Sequence, residues 1–271
     1  MKKMNVLVTG GAGFIPSHIV DRLLNDGHKV TVLDLWESAE SKVHNDNPNF
    51  EFIKGDVLND DLIAQCMEGK DRVIHMAAVL GTAETITTFD VEKVCTVNIV
   101  GTTKILKAAK KAGVGRVLIP TTPDVPWINP YKITKAAVEK LCQLFSIEYD
   151  LDVDQQSEYI YVDDVVEAFM LAMNSTKNLS GKIIHVGCGI SNSVNEIIAA
   201  TAKAWGREIP VEYIDMRPGE THFLAYLDPK PMKEHLDYEL QWKLHEGLVE
   251  TIKYYEEMHR IYNNGELVAN A

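Results

Sequence analysis

Pro-Tyr-Lys-Ile-Thr-Lys (130–135) sets a phenol and an ammonium four residues apart. In a helix these groups share one face, one turn apart. Free tyrosine titrates near 10, so a tyrosine acting as a base near neutrality must come down by roughly three units, about 4 kcal/mol. An adjacent lysine cation favours the phenolate, as does the positive nicotinamide ring of an oxidised dinucleotide. Thr122 ends the apolar run Arg116-Val-Leu-Ile-Pro-Thr-Thr122 and can hydrogen-bond both a substrate hydroxyl and the phenol. Thr122, Tyr131 and Lys135 are therefore the candidate catalytic residues. Tyr-x-x-x-Lys alone also describes many solvated helix faces, and it gains weight here from what precedes it.

The element that would hold such a dinucleotide lies at the start of the chain. Val6-Leu7-Val8 reads as a buried strand, Thr9 to Gly13 as a glycine-rich turn, and Phe14 to Leu24 as a helix stopped at Asn25-Asp26-Gly27. In a strand–turn–helix of this kind, glycines let the backbone approach a pyrophosphate seated on the helix N-terminus. Gly10 and Gly13 would make that approach, with Phe14 and Ile15 opening the helix. Pro16 stands where a third glycine is usual. It suits a first helical turn but is expected to crowd strand–helix packing. Lys29 to Asp34 is a second strand, and Asp34 follows Gly10 at close to the spacing of an acid that binds ribose hydroxyls. A carboxylate there repels a 2′-phosphate, and no arginine follows closely, so the expected cofactor is NAD rather than NADP. The competing reading is a nucleotide-free α/β core that uses Gly10 and Gly13 only to turn.

Composition narrows the classes. The chain has 271 residues, 46% of them hydrophobic and 24% charged, with a net charge of −12. That suits one large α/β domain with a small lobe, and argues against nucleic acid or an anionic membrane as partner. Four scattered cysteines with no Cys-x-x-Cys pair fit a reduced cytoplasmic protein. No run is long and apolar enough to span a bilayer, and the histidines lack metal-ligand spacing, so no metal is expected.

Further along, Phe50 to Val57 reads as a third strand. Gly55-Asp56 near its end puts a carboxylate at the adenine edge, with Val57 beside it. Residues 59–68 form a helix. Arg72 to Ala78 is a fourth strand whose small Ala77 and Ala78 leave room for a cofactor, and His75 is read as a core or backbone-bonded histidine. Val91 to Ala112 is one long amphipathic helix ended by Gly113. Asn98 lies on its apolar stripe and, if buried, needs partners; it would pin active-site backbone. Residues 116–122 make the fifth strand and 131–149 the next helix. Strands alternating with helices specify a Rossmann-like, doubly wound parallel sheet with ligands at the carboxyl ends of its strands.

The division expected is residues 1–153 for NAD binding and 154–265 for a part that completes the sheet and forms a small, truncated substrate lobe. In the second part, helices are expected at 165–173, from the capping box Ser193-x-x-Glu196 to Trp205, and at 248–262; strands at 182–187 and 208–214; and a turn at Arg217-Pro-Gly-Glu220.

At this point the chain resembles the extended short-chain dehydrogenases/reductases, in particular the NAD-dependent epimerase/dehydratase group acting on nucleotide-sugars. The residues that carry the resemblance are Thr-Gly-Gly-Ala-Gly-Phe-Ile (9–15), Asp34, Gly-Asp (55–56), His-Met-Ala-Ala (75–78), Asn-Ile-Val-Gly-Thr (98–102), Thr-Thr-Pro-Asp-Val (121–125), Pro-Tyr-x-x-x-Lys (130–135), Tyr-Val-Asp-Asp-Val (161–165) and Arg-Pro-Gly-Glu (217–220). The resemblance implies that Thr122, Tyr131 and Lys135 are catalytic, that Tyr131 and Lys135 also contact the cofactor, and that Arg217 reaches the nucleotide diphosphate. Two departures stand out. The loop from Thr122 to Tyr131 is short, and Leu151-Asp-Val153 runs directly into Asp154-Gln-Gln-Ser where the family carries much of its substrate lobe. The Val153–Asp154 junction is therefore not expected to be an ordinary tight connection.

The leading expectation is a nucleotide-sugar 4-epimerase. A sugar dehydratase or reductase is second; a dehydratase needs a further acid and base, and after Thr122 only Asp124 is at hand. A non-catalytic NAD(H)-binding protein is third. A homodimer is expected through the helices at 91–112 and 131–149, which carry apolar residues on more than one face.

Overall fold

In the computed structural model, which describes residues 2–80, 90–122, 129–149, 153–154, 160–190, 192–213 and 227–263, the first half alternates strand and helix as its patterning requires. The strands are β1 (Asn5–Thr9), β2 (Lys29–Asp34), β3 (Phe50–Lys54), β4 (Arg72–His75), β5 (Arg116–Leu118) and β6 (Val153–Asp154). They form one sheet in the order β3-β2-β1-β4-β5-β6, every neighbouring pair parallel. The order reverses beside β1, which places a crevice at the carboxyl ends of β1 and β4.

Alternation along β1 decides which side chain meets which layer. Val6 and Val8 face α1 (Phe14–Asn25) and α7 (Val162–Asn174), joining Ile19, Leu23, Phe169 and Met173 in one core. Leu7 faces the other layer with Leu33, Val73 and Val117, covered by α3 (Asp60–Met67), α5 (Thr102–Ala112) and α6 (Pro130–Tyr149). The short helix α2 (Ala39–Lys42) follows β2. No helix among the described residues is long and apolar enough to cross a membrane.

Several expectations change on contact with the structure. Pro16 does not disrupt the strand–helix packing. It lies buried at the third position of α1, and Ser17 N–H still reaches the Gly13 carbonyl at 2.9 Å. A first-turn residue has no intrahelical acceptor for its N–H, so proline loses nothing there. The helix expected over 91–112 is interrupted: α4 (Val91–Cys95) passes into a π-turn (Thr96–Gly101) before α5. The strands expected at 182–187 and 208–214 are not formed among the described residues. Ile183 makes an isolated bridge only, while Ile184 and Val186 are fully occupied in the core with α7. An apolar alternating run needs a neighbouring strand as well as a core, and here it finds only the core. Arg217-Pro-Gly-Glu220, Asp124 and the rest of the 123–128 loop lie outside the described residues.

Beyond residue 160 the described chain is mainly helical: α7, α8 (Val194–Trp205), α9 (Lys230–Leu236) and α10 (Leu244–Asn263). The capping box forms as expected, with Ser193 Oγ accepting from Glu196 N–H and Glu196 Oε2 accepting from Ser193 N–H at 2.7 Å. Point contacts fasten this half. Arg116 on β5 donates to the carbonyls of Ala172, Ser175 (3.1 Å) and Lys177 (3.0 Å), and Arg72 on β4 donates to that of Met173 (3.3 Å). Two guanidinium groups thus meet the carbonyl end of α7, where cations are favoured. At the other end of α7, buried Asp164 accepts from Tyr238 OH (2.5 Å), Gln241 N–H (2.9 Å) and Trp242 N–H (3.1 Å). Val153 and Asp154 are consecutive residues of β6, paired with Val117 and Leu118.

Candidate functional site

The turn after β1 is shaped by a backbone angle and a close approach that no side chain would allow. Gly10 sits at φ +69, and a Cβ there would come within 2.6 Å of the Ala77 backbone nitrogen. Both the backbone angle and the contact select glycine. Gly10 N–H donates to the Leu33 carbonyl at 2.8 Å, tying the turn to β2. Gly13 caps α1 without a side chain, and no acidic residue occupies the first turn. Phe14 and Ile15 follow as exposed residues. The first turn of α1 therefore brings no carboxylate of its own, which suits a diphosphate.

Asp34 stands beside this turn at the end of β2. Its Oδ2 accepts from Ala12 N–H at 3.0 Å and its Oδ1 from Leu35 N–H at 2.7 Å. Burial pushes its carboxyl above the usual range against those amide contacts. Leu35 and Trp36 follow it, both exposed, and neither is a cation that would welcome a 2′-phosphate. Asp56 Oδ1 accepts from Leu58 N–H at 2.9 Å, shaping the loop beyond β3. Val57 in that loop packs against Gly101 of the π-turn, where a Cβ would lie 3.1 Å from Val57 Cγ2. Lys104 reaches the same loop, donating to the Leu58 carbonyl at 2.9 Å.

On α6, Tyr131 and Lys135 share a face as their spacing requires. Lys135 is buried, its Nζ donating to the Pro120 carbonyl at 3.0 Å and lying 5.6 Å from the centre of the Tyr131 ring. Burial brings the lysine down to about 8, so it is still mainly an ammonium at neutral pH. Burial pushes the Tyr131 phenol up to about 12. The downward shift called for by the sequence argument is thus not supplied by Lys135, whose charge lies over the ring. Thr122 is half-buried at the end of the β5 segment, and no described hydrogen bond joins it to Tyr131.

Asn98 has the partners its burial demands. Its Oδ1 accepts from Val79 N–H (2.7 Å), and its Nδ2 donates to the Val79 carbonyl (3.1 Å) and to Thr134 Oγ1 (3.0 Å). It joins the chain after β4 to α6 through Val79 and Thr134. His75 is in the core as expected, but its partners are side chains, not backbone: Thr9 Oγ1 at 2.6 Å from Nδ1 and Thr102 Oγ1 at 2.9 Å from Nε2. Burial, with Lys135 nearby, holds this imidazole down at about 3.

Comparison with known proteins places this geometry. Residues 6–153 match the model of the NAD dependent epimerase/dehydratase family. A UDP-glucose 4-epimerase of Mycolicibacterium smegmatis is 30% identical over 315 aligned positions, covering 93% of this chain and 98% of that protein. The chain belongs to the NAD dependent epimerase/dehydratase family. Among solved structures, the UDP-glucose 4-epimerase of Thermotoga maritima with UDP-glucose superposes at a TM-score of 0.82, with 26% identity, covering 94% of this chain and 100% of that one. A dTDP-glucose 4,6-dehydratase of Streptomyces venezuelae with NAD bound gives a TM-score of 0.81 at 25% identity, covering 94% of this chain and 97% of that one. The 315 aligned positions exceed this chain's 271 residues, so the Mycolicibacterium enzyme carries residues with no counterpart here.

The family cofactor is NAD, and the residues present fit it: a turn open to close backbone approach, a helix whose first turn carries no acidic residue, and an acid beside the turn. The structure gathers Gly10, Gly13, Asp34 and Ala77 at the carboxyl ends of β1, β2 and β4. It sets Lys135 against the chain just beyond β5, with Tyr131 on the same helix face. Arg217 falls outside the described residues. Sequence reasoning passed over Thr9, Thr102 and Thr134. The first two lie within quoted motifs, Thr-Gly-Gly-Ala-Gly-Phe-Ile (9–15) and Asn-Ile-Val-Gly-Thr (98–102), without a role of their own being read there, and Thr134 lies within the Tyr-x-x-x-Lys frame.

Proposed function

We propose that this chain is an NAD-dependent nucleotide-sugar epimerase in which Tyr131 is the base. The observation that carries this reading is the buried Lys135 ammonium, anchored on the Pro120 carbonyl beneath the Tyr131 ring. A cation buried there costs desolvation energy; since it does not by itself lower the phenol, which burial holds at about 12, the phenolate would form only with the oxidised nicotinamide ring also beside it. The chemistry that bound NAD supplies is reversible hydride acceptance, and its oxidised ring adds positive charge favouring phenolate. Thr122 would hold the sugar hydroxyl whose proton Tyr131 takes. Tyr131 would return the proton once the keto-sugar has turned over. Gly10, Gly13, Phe14 and Ile15 would seat the diphosphate. Asp34 would accept from the ribose hydroxyls, Asp56 and Val57 would border the adenine, Ala77, Ala78 and Asn98 would line the site, and Arg217 would reach the substrate diphosphate. The alternatives are a nucleotide-sugar dehydratase or reductase, the former being the reaction of the Streptomyces relative, and a non-catalytic NAD(H)-binding protein.

The four cysteines form no disulfide, which fits a reducing cytoplasm. Val100, Leu144 and the 80% exposed Ile147, on α6 and the π-turn, fit a dimer interface. The test is incubation with a panel of UDP- and dTDP-sugars and NAD⁺, following products by NMR. A new 4-epimer without net cofactor consumption is expected. Tyr131→Phe should lower that rate by about 10²–10⁴-fold and leave NADH affinity nearly unchanged. A 4-keto-6-deoxy product would instead make it a dehydratase. NADH binding with no product from any sugar would leave the non-catalytic reading, and tighter NADP⁺ than NAD⁺ binding would overturn the role given to Asp34.

A further inference from the structure

We infer that His75 is a positioning residue of this site: a neutral imidazole protonated at Nε2 that fixes the glycine turn through Thr9 and the catalytic helix through Thr102 and Asn98. The tautomer follows from the partners. Thr102 Oγ1 donates its single proton to the Asn98 carbonyl at 2.6 Å, so toward His75 Nε2 it can only accept. Nε2 therefore carries the hydrogen. Nδ1 is left with a lone pair, which accepts from Thr9 Oγ1, and Thr9 Oγ1 in turn accepts from Ala77 N–H at 3.4 Å.

The chain of bonds continues without a break. Asn98 Nδ2 donates to Thr134 Oγ1, and Thr134 Oγ1 donates to the Tyr131 carbonyl at 2.8 Å. Thr9, His75, Thr102, Asn98 and Thr134 are all buried, so each bond is made where water cannot replace it. One end of this path is the residue before Gly10; the other is the backbone of the proposed base. The π-turn is its middle. The widened turn, Thr96–Gly101, contains Asn98, which reaches Thr134, and ends just before Thr102, which reaches His75; such turns recur at functional sites. A histidine needed only for packing would not require both nitrogens to be matched to opposite hydrogen-bonding roles.

The inference rests on the site proposed above, and two isosteric variants separate the two arms. An asparagine amide reaches about as far as Nδ1, a glutamine amide about as far as Nε2. His75→Asn should keep the Thr9 bond and NADH affinity while lowering kcat roughly three- to tenfold, the scale of one lost buried hydrogen bond. His75→Gln should keep the Thr102 bond and kcat while weakening NADH binding by a similar factor. Nitrogen-15 NMR of the unaltered protein should show His75 as the Nε2–H tautomer at neutral pH. Equal losses in both variants, no loss in either, or an Nδ1–H or doubly protonated ring would overturn the inference. If the unaltered protein turns over no nucleotide-sugar, the proposed function fails by itself. NADH titration of the two variants and the NMR signal then still decide the role of His75, and the NMR result stands even if neither variant folds.

Discussion

Residues 5–119 and residues 160–263 meet on one side of the sheet, and they are held by different means. In the first region each strand residue has a partner in register, Val6 to Val30 on one side and to Arg72 on the other, and the side chains then fill two apolar layers. In the second, the described residues form no strand. α7 shares the apolar core of Val6 and Val8 through Phe169 and Met173, and its two ends are fixed by Asp164 on one side and by Arg72 and Arg116 on the other, while α8 leans on α10. A ladder spreads its energy over many equivalent bonds. The few polar anchors at the ends of α7 concentrate theirs, so single substitutions there should loosen the second region more than the first.

The sharpest way to break the comparison is Asp164→Ala. It leaves Tyr238 OH and two backbone amides without their acceptor, and the loss should be about 3–5 kcal/mol. Hydrogen exchange should quicken first in 238–263, with β1 and β2 still protected. Uniform quickening across the sheet would mean that the two regions unfold as one.

Acid should act on the opposite region. His75 is held down at about 3 while an unfolded histidine titrates near 6.5. The unfolded chain therefore takes up a proton that the folded chain refuses. The stability from the neutral imidazole is complete above 6.5 and drains as pH falls toward 3, by about 2–3 kcal/mol at pH 4.5. Urea unfolding at pH 7 and 4.5 should show this loss, and His75→Gln should show correspondingly less of it. The smallest effect belongs to Ser193→Ala, which removes a cap from the exposed start of α8 and should cost about 1 kcal/mol. A shift confined to α8 and α10 in hydrogen exchange would sharpen the contrast.

This division also explains what could be read from the sequence. β1, α1, β2 and the place of Gly10, Asp34, Tyr131 and Lys135 follow from local rules: alternation, caps, glycine and helical spacing. The capping box at Ser193 is local too, and it was legible in the otherwise obscure half. The strands expected at 182–187 and 208–214 failed because pairing depends on a partner that the segment itself does not encode. The His75 bonds were hidden for the same reason. Thr9 and Thr102 are far from it in sequence, and a threonine shows no outward sign of which histidine it will meet. The π-turn was hidden because one extra residue in a helical turn leaves the apolar stripe nearly intact.

The grip of Arg72 and Arg116 on the end of α7 has a consequence for synthesis. Both arginines, and the apolar face formed by Val6, Val8, Ile74 and Leu118, leave the ribosome well before the carbonyls at 172–177 that they await. Some 60 residues separate Leu118 from the end of α7, roughly 3–12 s of translation. Throughout that interval a nascent sheet would present the part of that apolar side that α1 does not cover, with two guanidinium groups at its base still short of the carbonyls of α7. The period of greatest exposure to chaperones, and to other nascent copies, should therefore close only when α7 clears the exit tunnel.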